Sequence, residues 1–183
     1  MSMNVIETAI PGVLVIELGV FRDHRGYLFE SWSRDRYREA GLLDPFVQDN
    51  VSFSTKGVLR GLHYQEPNAQ GKLLSVLDGE IFDVAVDIRQ GSPTFGKHVA
   101  MILSRENRRQ FYVPPGFAHG FVVLSDRAFV SYKCTDFYQP KHERSVRWDD
   151  PELAIPWPVA DPILNGKDRE APLLRDVRDW PTF

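Results

Sequence analysis

Short, β-rich apolar runs separated by glycine, proline and aspartate recur along most of this 183-residue chain. Residues 13–18, 46–53, 58–65, 72–77, 81–88, 98–103, 110–113, 119–124 and 129–135 each read as a strand, and Phe29 and Trp32 continue the theme. Asp78-Gly79 is a tight-turn dipeptide that joins two of these runs as a hairpin. Within 81–88 a period of two puts Asp83 and Asp87 on one face. Many short strands with such turns predict a mainly β fold, a sandwich or jelly-roll barrel. Helix signals are few. Ser33 is placed to cap a short helix through Arg38 and Ala40, stopped by Gly41, and another start lies near Ala171.

From residue 140 onward the chain changes character, with prolines at 140, 151, 156, 158, 162 and 172. Trp148, Trp157 and Trp180 give this segment apolar anchors, so it is expected to wrap on the barrel as an ordered, loop-rich tail. Residues 1–183 are read as one domain, with an N-terminal strand extension and this tail packed on the barrel. The net charge of −3 provides no global basic field for nucleic acid. No apolar run approaches the roughly 20 residues of a membrane span. Residues 1–20 lack a basic leader, and Glu17 interrupts their apolar run, so a strand is expected there rather than a signal peptide. Cys134 is the only cysteine, which excludes an intramolecular disulfide, and its alternating neighbours suggest a buried, inert thiol. These features together point to a cytoplasmic protein.

Two short stretches carry the chemistry. Gly57-Val-Leu-Arg-Gly-Leu-His63-Tyr-Gln65 and Pro114-Pro115-Gly116-Phe117-Ala118-His119 resemble the paired motifs of the cupin barrel, G-x5-H-x-H and P-x-G-x-x-H, with Gln65 in place of the second histidine. Two histidines are too few for a stable divalent site, so no metal is expected. Arg60 and Lys72 lie near His63 in sequence. Histidines among fixed cations suit proton transfer on an anionic substrate.

Alternation puts Gly61 and His63 on one face and Leu62 and Tyr64 on the other. A carboxylate partner would hold His63 as a base, and spacing leaves Asp83, Asp87 and Asp168 all open for that role. Arg60, Lys72 and His119 would converge in a lumen as donors to an enolate oxygen. Val130, Tyr132 and Cys134 share a face, so Tyr132 is placed to point inward as an acid, and Tyr138 lies nearer the mouth, where it could stack on a base or sugar. Arg25 offers a bidentate fork to a phosphate. His24, His98 and His142 have no supporting spacing.

A longer series of segments extends the resemblance. Residues 21–30, 46–50, 58–65, 70–73, 82–89, 92–96, 115–121 and 132–138, in that order, resemble the dTDP-4-dehydrorhamnose 3,5-epimerase family. The resemblance implies a cofactor-free homodimer of cupin-type jelly-roll barrels. It also implies action on dTDP-4-dehydro-6-deoxy-D-glucose, with inversion of C3 and C5 through an enolate. It further implies His63 as general base, Tyr132 as general acid, Asp168 as the carboxylate that orients His63, and Lys72 in stabilising the enolate. Arg60 and His119 are implied as sugar-site donors. Arg25, Glu30, Gln48, Asp49 and Asn50 are implied as nucleotide or sugar contacts, together with Tyr138, Glu143 and Lys167. The absence of a G-x-G-x-x-G loop agrees with a reaction that moves no hydride. The competing readings are an epimerase of one carbon only, a sugar-nucleotide-binding cupin without activity, and a metal-dependent enzyme, the last disfavoured by Gln65.

Overall fold

The computed structural model describes residues 2–178, 180 and 181. Thirteen strands follow one another among those residues: β1 (Met3–Glu7), β2 (Leu14–Leu18), β3 (Val20–Asp23), β4 (Gly26–Phe29), β5 (Gln48–Thr55), β6 (Leu59–Gln65), β7 (Lys72–Asp78), β8 (Glu80–Asp87), β9 (His98–Ser104), β10 (Arg109–Val113), β11 (Phe117–Val123), β12 (Arg127–Cys134) and β13 (Glu143–Ser145). The helices are short: α1 (Arg34–Glu39), α2 (Gly166–Arg169) and a 3-10 turn at Leu174–Asp176. No helix among the described residues is long and apolar enough to cross a membrane.

Two antiparallel sheets form the jelly-roll, cupin-type barrel. One has six strands in the order β1-β2-β10-β7-β12-β5, and the other has five, β13-β6-β11-β8-β9. Their facing sides interdigitate in a single apolar core. Val15, Leu74, Val76, Phe111, Ala128 and Val130 from the first sheet meet Ile81, Ala85, Leu103, Phe117, Phe121 and Val123 from the second. Burial of these side chains is the main term holding the sheets together, at roughly 1.5–3 kcal/mol for each large apolar side chain.

Both outer faces are also covered. The tail lays Leu153, Ile155, Trp157 and Trp180 over Leu62, Tyr64, Val84 and Val86 of the five-stranded sheet. The tryptophans anchor it as the composition suggested: Trp157 packs edge-on against Phe82 and donates its Nε1–H to the Trp148 carbonyl, and Trp180 stacks on Tyr64. Tyr37 and Leu42 cover Ile16, Leu73 and Tyr112 of the six-stranded sheet.

Several local expectations need correction. Ser33 is the N-cap residue of α1, but its side chain makes no capping bond. The helix expected near Ala171 is only the 3-10 turn beginning at Leu174. Trp32 lies between elements. The exposed hairpin β3–β4 and the short α2 have weak apolar patterns, which is why periodicity missed them.

Candidate active site

Inward-facing positions change character along the strands. On β12 the inward series runs Ala128, Val130, Tyr132, Cys134, and on β7 it runs Val76, Leu74, Lys72. On β5 it runs Ser52, Asn50, Gln48. The apolar end of each series fills the core, and the polar end lines a cavity of about 790 Å³. His63, His119 and Arg60 line it from the five-stranded sheet, while Tyr138, Glu143, Lys167 and Asp168 close it from the loops, β13 and α2.

His63 is held by a built support. Its Nε2 lies 2.6 Å from Asp168 Oδ1, and Asp168 is fully buried. The carboxylate can only accept, so Nε2 carries the proton and Nδ1 is the ring nitrogen left for a ligand. Asp168 Oδ2 accepts the Gly61 N–H at 3.2 Å. Asn165 caps α2 by accepting the Asp168 N–H at 2.7 Å, which sets the aspartate on the first turn of the helix. Gly61 makes the approach possible. Its φ is +128°, and a Cβ there would sit 2.5 Å from Gly120 Cα. The ladder between β6 and β11 slips at this contact, yet it keeps His63 and His119 directly opposite each other.

Of the three carboxylates left open for His63, the structure selects Asp168. Asp83 bonds His119 instead, Oδ1 to Nε2 at 2.7 Å. Asp87 is a structural group that accepts from Arg89, Ser92 and Thr94. Burial opposes its ionisation, but these donors overcome that effect and hold its carboxyl down at about 2.

Tyr132 belongs to the sheet facing the one that carries His63. Burial pushes its phenol above the ordinary range, reinforced by the nearby Cys134 and countered by Arg60, so the group keeps its proton. Lys72 is pressed the other way. Burial lowers its ammonium, while Cys134, Asp83 and Glu143 oppose the fall. Cys134 is buried as expected, and burial raises its thiol, an inert state. Arg60 is steered by Ser54, with Nε to Oγ at 3.0 Å. Gln48 donates to Asn50 at 3.0 Å and accepts the Tyr138 backbone N–H at 2.9 Å. At the mouth, Lys167 Nζ lies 3.2 Å from Glu143 Oε2.

Three expected contact residues lie outside this cavity in the single chain. Asp49 is one step out of phase with Gln48 and Asn50, so β5 turns it to the other face of the sheet, where it pairs with Lys133 at 2.9 Å. Arg25 sits on the exposed β3–β4 hairpin with its Nε 3.0 Å from Asp23. Glu30 pairs with Arg36 at 3.1 Å. Conversely, Ser52, Gln70, Phe121, Cys134 and Asn165 line the cavity and were not anticipated as site residues. The parity of β5 alone would have found Ser52 and excluded Asp49.

Gln65, which replaces a metal-cupin histidine, is nearly buried and ties loops together. Its Oε1 accepts from the Gln139 N–H, and its amide nitrogen reaches the Phe137 carbonyl at 3.1 Å. Among the described residues no three His, Cys, Asp or Glu side chains converge as metal ligands. The arrangement provides a supported imidazole on one wall, a protonated phenol on the other, and cationic donors between them. Such a site can take a proton from one face of a bound carbon acid and return one to the other.

Comparison with known proteins agrees with that chemistry. The family model for dTDP-4-dehydrorhamnose 3,5-epimerase matches residues 7–176. The Pseudomonas aeruginosa dTDP-4-dehydrorhamnose 3,5-epimerase is 54% identical over 181 residues, covering 98% of this chain and 100% of that protein. The Shigella flexneri enzyme of the same name is 57% identical over 168 residues, 91% of this chain and 93% of its own. The crystal structure of dTDP-6-deoxy-D-glucose-3,5-epimerase from Legionella pneumophila, in complex with dTDP-4-keto-L-rhamnose, superposes with a TM-score of 0.97. It is 54% identical and covers 100% of this chain and 99% of that one.

Proposed function

The chain belongs to the dTDP-4-dehydrorhamnose 3,5-epimerase family, and from that premise we propose that it converts dTDP-4-dehydro-6-deoxy-D-glucose into dTDP-4-dehydro-L-rhamnose by inverting C3 and C5. The observation that carries this reading is the pairing of a buried Asp168–His63 couple on one wall with Tyr132 on the facing wall of one cavity.

The C4 ketone acidifies the hydrogens on its two neighbouring carbons. Nδ1 of His63 takes the proton from one of them, and the bonding electrons move onto the C4 oxygen as an enolate. Asp168 keeps the imidazole in the tautomer that makes Nδ1 the base, and stabilises the ring once it is doubly protonated. Lys72, with Arg60 and His119, faces the developing oxyanion, where donors in a water-poor site provide the largest share of rate enhancement. The raised phenol of Tyr132 then gives its proton to the opposite face of the carbon, which inverts it. Once His63 has lost its extra proton and Tyr132 has regained one by exchange with solvent, repeating the cycle at the second carbon completes the product. Bonds to oxygen stay intact and no hydride moves, so His63, Tyr132 and the donors suffice for the reaction without a cofactor.

The nucleotide end has a matching surface. Tyr138 is about half exposed at the mouth beside Glu143 and Lys167 and offers a stacking face for a base. Gln48 and Asn50 supply amide contacts. A homodimer accounts for the remaining expected contacts: the exposed β3–β4 hairpin, with Phe21 and Leu28 unburied, would carry Arg25 and Glu30 of one subunit toward the cavity of the other. Asp49 faces the same side of its sheet as Lys133 and is placed for a role outside the cavity.

His63→Ala tests the reading. Turnover should disappear while dTDP binding persists. Wild-type turnover in that variant would remove the base assignment.

A further inference from the structure

Two histidines face the cavity, and each leans on an aspartate that solvent does not reach, but the pairs differ. Asp168 divides its charge between His63 and the Gly61 N–H. Asp83, in the middle of β8, has one oxygen 2.7 Å from His119 Nε2, while its other oxygen meets no hydrogen-bond donor among the described residues. The His119 side chain is 8% exposed against 29% for His63. A buried carboxylate with one bare oxygen is costly, and such a group persists in a fold where its charge is used.

The use is within reach. The side chain of Lys72, also facing the interior, makes no hydrogen bond or ion pair with any described residue. Its ammonium is pushed down by burial and drawn back up by Cys134, Asp83 and Glu143 in turn. His119 presents its remaining nitrogen, Nδ1, because an ionised carboxylate can only accept and so fixes the proton on Nε2. His119, a donor placed to meet the sugar's carbonyl side, therefore takes its orientation from one buried acid. That acid does not itself line the cavity and stands behind His119.

We propose that Asp83 is a positioning residue of the epimerisation: it locks His119 with Nδ1 toward the sugar, in the cavity that Lys72 also lines. This rests on the epimerase reading above. Asp83 acts on the stabilisation of the enolate, whereas Asp168 acts on the base, so the two aspartates serve different halves of the same step.

Ring-15N histidine spectra of the wild-type protein provide the first test. His119 should carry its proton on Nε2, and Asp83→Asn, which keeps the shape and removes the charge, should abolish that fixed pattern. In the same variant kcat should fall about tenfold or more, the scale on which carboxylates that orient a histidine act. KM for the dTDP-sugar and dTDP affinity should stay near wild type, a split that general loss of packing would not produce. A wild-type spectrum with the His119 proton on Nδ1, or an Asp83→Asn variant with wild-type kcat, overturns the proposal. If the variant does not fold, the wild-type spectrum decides alone. Absence of turnover in the wild-type protein would instead overturn the epimerase reading, and the spectrum would still decide whether Asp83 holds His119.

Discussion

Tyr132→Phe removes one oxygen atom and separates chemistry from folding unusually well. The Tyr132 hydroxyl makes no hydrogen bond with a described residue, and its ring packs against the core between the sheets. Phenylalanine keeps the ring, so stability should change by less than about 1 kcal/mol, because no satisfied hydrogen bond is lost. The effect on turnover should be far larger. General acid catalysis is worth about 10²- to 10⁴-fold, or about 2.7–5.4 kcal/mol of barrier. The loss should also be selective. With His63 intact, the base still removes a proton and can return a solvent deuteron to the same face, so exchange without inversion should persist while product formation collapses. A thermal melt and a time course of ketosugar in D2O, following exchange and inversion separately by proton NMR, would measure all three quantities. If exchange and inversion fall together, or inversion survives, Tyr132 is not the acid on the opposite face.

Other perturbations probe the support of the site. Asp168→Asn should lower kcat by about 10² or more by releasing the tautomer of His63, with nucleotide affinity measured by calorimetry left nearly unchanged. Gly61→Ala should disrupt the β6–β11 contact, since the new Cβ would lie 2.5 Å from Gly120 Cα and 2.8 Å from the His119 carbonyl at a φ of +128°; lower yield and a depressed melting temperature should accompany loss of activity. Asp87 has its carboxyl lowered in the fold from 3.8 to about 2, so its contribution is complete above pH ~4 and is lost as pH falls toward 2. That contribution is about 2 kcal/mol, and urea unfolding should show Asp87→Asn with a smaller acid-induced loss over that window than the wild type.

The barrel was legible because strand periodicity and turn residues are local signals, and the same parity placed Tyr132, Cys134 and His63 on inward faces. What local pattern could not supply was pairing across the chain. Spacing left Asp83, Asp87 and Asp168 open, and only the family resemblance pointed to Asp168; the fold of α2 against β6 brings it to His63 over a separation of 105 residues. The Gln48-Asp49-Asn50 run reads as a unit in sequence, but β5 splits it between two faces, so Asp49 does not line the cavity with its neighbours. Arg25 and Glu30 lie on or beside a small exposed hairpin, outside the cavity, where no local pattern links them to it. Gln65 was legible as the loss of a metal ligand, but its role in tying the loops at 68, 137 and 139 together was not.

The most direct measurement is proton NMR of dTDP-4-dehydro-6-deoxy-D-glucose incubated with the wild-type protein in D2O without added metal. Deuterium should enter at both C3 and C5 as the L-lyxo product accumulates. Exchange at only one carbon would contradict double inversion, and exchange at neither would contradict enolate chemistry in this cavity.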